Sequence, residues 1–75
     1  MMTKPRKPKL LNLVAVLNNA GNTSVQTGDV GTVIELLPPD AVEVEFLDRD
    51  GRTRCVCTLP VNKVLVLNQE RTSVG

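Results

Sequence analysis

Residues 41 to 59 constrain the fold more tightly than any other part of the sequence. Ala41-Val-Glu-Val-Glu-Phe-Leu47 alternates apolar and acidic side chains, which places Val42, Val44 and Phe46 on one face of a strand and Glu43 and Glu45 on the other. Asp48-Arg-Asp-Gly51 follows, a turn sequence whose glycine is free to take the positive φ of a tight hairpin. Arg52 to Leu59 then returns as the partner strand, with Cys55, Cys57 and Leu59 on one face and Arg52, Arg54 and Val56 on the other. With a hairpin at the centre of a 75-residue chain, there is room for a single core.

The flanking segments read as further strands. Leu10 to Leu17 is a dense apolar run with β-branched members, compatible by periodicity with a buried helical turn but favoured as strand. Asn18 to Val25 gathers turn formers and is the longest loop. Gly28 to Leu37 is a second strand with Gly31 where a bulge or a sharp bend is expected, stopped by Pro38-Pro39-Asp40. Pro60 to Lys63 suits one 3₁₀ turn, and Val64 to Leu67 a last strand. The expected fold is all-β, a small five-stranded barrel, because closure removes the edges that short strands leave open. Its expected core is Val14, Val16, Val30, Val42, Val44, Phe46, Leu59, Val64 and Leu65. Residues 1–9, interrupted by Pro5 and Pro8, are expected as a flexible basic arm, 10–67 as the barrel and 68–75 as a flexible tail.

Phe46 is the only aromatic residue, so the core has to be aliphatic. No window approaches the roughly 18 apolar residues of a membrane span, and Met1 to Lys9 leads into no secretory signal pattern, so no membrane role is expected. The two cysteines sit one residue apart, which on a strand spaces them by roughly 6 to 7 Å along the chain, where a disulfide would strain the backbone. A reducing cytoplasm is the simpler home. Two thiols without a third or fourth ligand could complete a zinc site only by sharing between chains. Cys55 and Cys57 are therefore expected as reduced, metal-free, partly buried thiols, and no cofactor is expected.

Catalysis is disfavoured by inventory. The chain has no His, Tyr or Trp, which removes the commonest general base and metal ligand together with the phenolic acid. Gly28-Asp-Val-Gly31 lacks the Lys-Ser/Thr of a phosphate loop and has no helix after it, so it reads as turn and bulge. Charge is uneven: Lys4, Arg6, Lys7 and Lys9 make the first nine residues basic, whereas from Leu10 onward five bases face eight acids. Asp40, Glu43, Glu45, Asp48 and Asp50 cluster around the central hairpin and are expected to give one end of the barrel a negative potential.

Gly28-Asp-Val-Gly-Thr-Val33, Glu43-Val-Glu-Phe46, Gly51-Arg-Thr53 and Thr58-Leu-Pro60, in this order, carry a resemblance to a known family. Over Leu10 to about Leu67 the chain resembles the small bacterial family catalogued as domain of unknown function 4926. That resemblance implies an SH3-like barrel and brings no catalytic residues; the basic arm and the Cys55-Val56-Cys57 triplet lie outside it. The expected function is a protein–protein binding module, an inhibitor, antitoxin or immunity-type partner, contacting through the rim of Asn18 to Thr27, Pro38 to Asp40 and Asp48 to Gly51 or through the strand face of Glu43 and Glu45, with the acids Asp40, Glu43, Glu45, Asp48 and Asp50 meeting a basic protein surface. One alternative is a nucleic-acid-associated barrel using Lys4, Arg6, Lys7 and Lys9, against which stand the acidic barrel and the lack of aromatic platforms for bases. Another is a structural subunit of a larger assembly. Proline-rich peptide recognition is weaker still, since there is no Tyr or Trp to line a groove.

Overall fold

The computed structural model describes residues 7–67. Five strands run in the expected order: β1 (Leu13–Val16), β2 (Val30–Leu37), β3 (Ala41–Leu47), β4 (Thr53–Pro60) and β5 (Val64–Val66), with a 3₁₀ turn at Val61–Lys63. They form one antiparallel sheet in the order β4-β3-β2-β1-β5. The all-β, five-stranded expectation holds, but the sheet is not closed, since β4 and β5 are its two edges and are not hydrogen-bonded to each other. The 3₁₀ turn is the physical reason. It is tied on one side to the β2–β3 turn, through Val61 N–H donating to Asp40 O at 2.8 Å, and on the other to the end of β1, through Leu17 N–H donating to Lys63 O at 2.8 Å. The chain is thereby carried across the gap, and β5 returns beside β1 instead of β4.

The inner face holds the core: Val14, Val16, Val25, Val33, Val42, Val44, Phe46, Cys57, Leu59 and Val64. Two residues expected there, Val30 and Leu65, are each 50% exposed. Register explains the correction. Val14 and Val16 point inward, so Ala15 points outward, and Val30 and Leu65 are the cross-strand partners of Ala15. Val25, read as part of an exposed loop, is instead buried and anchors that loop to the core.

The expected bulge in β2 exists, but at Ile34 and not at Gly31. Val33 pairs with Val44 and Glu35 with Glu43, so Ile34 is the extra residue. Without it Glu35 would continue the inward phase of Gly31 and Val33; the bulge turns its carboxylate to solvent. Gly31 is required by close approach, since a Cβ there would lie 2.6 Å from Val44 Cγ1 and 2.7 Å from the Glu45 carbonyl oxygen. In β1 the regular strand begins at Leu13, because Lys9 to Asn12 forms a turn in which Leu11 takes φ 69° and Asn12 Oδ1 accepts the Lys9 N–H at 2.8 Å.

Candidate functional site: the outer face of the sheet

The outer face follows row by row from the register. One row crosses Leu65, Ala15 and Val30. The next runs Leu13, Thr32, Glu45 and Val56, and a third crosses Glu35, Glu43 and Thr58. The face is therefore divided. Its β5–β1 side, with the start of β2, presents exposed Leu13, Val30 and Leu65; its β3 side presents carboxylates at a spacing of about 5 Å between strands. Solvated antiparallel faces ordinarily alternate apolar-in with polar-out. β1 departs from that rule because Leu13 and Ala15 are apolar on the side opposite Val14 and Val16.

The five acids expected to act together are not all brought together. Asp40 lies in the β2–β3 turn, and Asp48 and Asp50 lie at the far end of the seven-residue β3, on the order of 25 Å away. Asp48 is engaged locally: its Oδ1 accepts the backbone N–H groups of Asp50 at 2.8 Å and Arg52 at 3.0 Å, shaping the turn in which Gly51 takes φ 84°. The expectation of a negative potential gathered at one end is thus corrected to an acidic patch on the face of β3. Glu43 and Glu45 do share that face. Thr58 Oγ1 donates to Glu43 Oε2 at 3.4 Å, and Thr53 Oγ1 donates to Glu45 Oε2. Glu35 joins them as the direct partner of Glu43. The signal for it lay in the Pro38-Pro39-Asp40 turn, because a hairpin closed by Leu37 and Ala41 puts residues 35 and 43 opposite each other.

Lys7 and Lys9 are exposed and bracket Pro8, which is buried; Lys4 and Arg6 lie outside the described residues. Arg54, the extra residue of a second bulge opposite Phe46 and Leu47, belongs to neither patch. Its guanidinium carbon sits 5.8 Å from the centroid of the Phe46 ring, and its nitrogens donate to Ser24 O at 2.8 Å and Asp29 Oδ2 at 3.3 Å. Arg54 thus clamps the loop after β1 against β4. That loop is shaped by short side-chain bonds, with Asn18, Asn19 and Asn22 each accepting a backbone N–H two residues on.

Cys55 and Cys57 are free thiols, the first half-buried and the second buried. Burial pushes the Cys57 thiol above its ordinary value and the adjacent Cys55 adds to the rise, while Asn22 and Arg54 oppose it. Among the described residues, no group of three or more His, Cys, Asp or Glu side chains is arranged to hold a metal ion, and no helix is long and apolar enough to cross a membrane.

The chain matches no curated protein and no solved structure. A family model matches residues 10–66, from the turn before β1 to the end of β5. The match takes in Gly31 at its close approach, the Glu43-Val-Glu-Phe46 strand and the Gly51 turn, and the chain belongs to the family described as domain of unknown function 4926.

Proposed function

We propose that the protein is a non-catalytic binding module that recognises another protein through the outer face of its sheet. The observation that carries this reading is the apolar row in which exposed Leu65 and Val30 flank half-buried Ala15, with exposed Leu13 beside it, adjoining the carboxylates of Glu35, Glu43 and Glu45. Clustered apolar side chains on a solvated sheet face carry an unfavourable hydration free energy that burial against a partner surface removes. The neighbouring carboxylates favour a partner whose contact region is apolar with a basic margin. Inhibitor, antitoxin or immunity-type partnership with a bacterial protein fits such a surface. The free thiols fit a reducing cytoplasm.

The deciding experiment is retention of partners from nuclease-treated and untreated lysate of the native cell. Wild-type protein should retain one protein at constant stoichiometry in both lysates, and a Val30→Asp/Leu65→Asp variant should lose it while remaining folded. Retention of RNA or DNA alone, abolished by nuclease, would replace this reading with the nucleic-acid alternative based on the N-terminal bases.

A further inference from the structure

Cys55 and Cys57 project from the same side of β4, opposite Phe46 and Val44 in the register, and their Sγ atoms are 3.9 Å apart. Strand geometry separates the Cα atoms of such a pair by roughly 6 to 7 Å. The side chains therefore converge. The bulge at Arg54 immediately precedes the pair, and bulges raise the local twist of a strand. Both sulfurs are free, and half-buried Cys55 offers the approach to buried Cys57.

Donor number and softness select the ligand. Zinc in a closed site takes four donors, and calcium and magnesium take oxygens. The chain has no His, and among the described residues no third His, Cys, Asp or Glu joins the two sulfurs. Two thiolates alone suffice for a soft d¹⁰ monovalent ion, and thiolate ligands favour copper(I). On the scale of a zinc–thiolate bond, about 2.3 Å, one ion spans sulfurs up to about 4.6 Å apart, and the 3.9 Å pair falls within that reach.

We propose that Cys55 and Cys57 form a two-thiolate copper(I) site contained within one chain. Two S–Cu bonds replace two S–H bonds, both protons pass to solvent, and the copper remains monovalent. The resulting unit carries one negative charge. Arg54, on the same stretch of β4, already shares its positive charge with Asp29 at 3.3 Å, so the extra negative charge is borne at the half-buried, solvent-reached side of Cys55. The site lies on the inner side of β4 and is independent of the outer face proposed for protein recognition.

The test is anaerobic titration of the reduced full-length protein with copper(I), against a chromophoric copper(I) chelator as competitor. Wild-type protein should withdraw one equivalent of copper(I) per chain, its melting temperature should rise with copper(I) and not with zinc(II), and X-ray absorption should count two sulfur ligands. Cys55→Ala and Cys57→Ala should each abolish the withdrawal. Cys55 is the more exposed of the two, so Cys55→Ser serves as the second variant should Cys57→Ala not fold. Failure of the wild type to compete, copper uptake undiminished in a folded cysteine variant, or one copper per two chains with four sulfurs would each overturn the proposal.

Discussion

On the inner face, Val14, Val16, Val33, Val42, Val44, Leu59 and Val64 close around Phe46 and are buried; on the outer face of the same strands, Leu13, Val30 and Leu65 remain exposed. The two sets are chemically alike and alternate along the chain. What separates them is that the inner residues meet one another and Val25 of the loop, whereas the outer residues have no part of the described chain across from them. Apolar character alone does not say whether a residue is buried in the core or left exposed on the sheet. The face it occupies does.

That contrast predicts effects on stability that fall from the inner face to the outer, while effects on association run the other way. Phe46→Ala should be the most damaging change, costing about 3–5 kcal/mol, because it removes the only aromatic side chain of the core and the ring beneath Arg54. The shift of the urea midpoint measures it, and a loss below about 1 kcal/mol would mean that the inner face is not the core. Gly31→Ala should cost about 1–3 kcal/mol, since the new methyl meets the Glu45 carbonyl, which cannot move without breaking the sheet. A neutral result in thermal melting would show that β2 and β3 are further apart than described.

Arg54→Ala should cost about 1 kcal/mol, from one hydrogen bond to Ser24 O and a partly exposed ion pair with Asp29. Its sharper signature is local: amide exchange should accelerate across residues 18–29 more than in β3. Val30→Ser with Leu65→Ser should change stability by no more than about 0.5 kcal/mol per site, yet abolish retention of the proposed protein partner. If the pair destabilises the protein as much as an inner-face change does, the two faces are not distinct. Glu43→Lys with Glu45→Lys should leave stability nearly untouched, slow association and flatten its salt dependence, as read by surface-bound kinetics at two ionic strengths.

Much of the fold is legible from local pattern. The alternation of Ala41 to Leu47, the Asp48 to Gly51 turn and the stop at Pro38-Pro39 each depend on a few adjacent residues, and the structure places them as read. The errors share one cause. Leu65 lies in an apolar run and Val30 stands between Asp29 and the close-packed Gly31, and at neither position can strand phase be read without a partner strand. The acidic patch shows the same limit: Asp40 and Asp48 are near Glu43 and Glu45 in sequence but lie at opposite ends of β3, while Glu35 comes in through pairing across the hairpin.

By itself, the sequence determines the all-β class, the succession of five strands along the chain, the aliphatic core around Phe46 and the glycine that the central hairpin requires, since these follow from side-chain period and backbone freedom within a few residues. Tertiary structure alone decides which apolar residues face outward, that the bulge at Ile34 turns Glu35 to solvent, that Val25 and Arg54 fasten the long loop, and that the two cysteine sulfurs converge to 3.9 Å. Each of these depends on register between strands or on contact between segments distant along the chain. A one-residue change of register reverses the face of every side chain it moves.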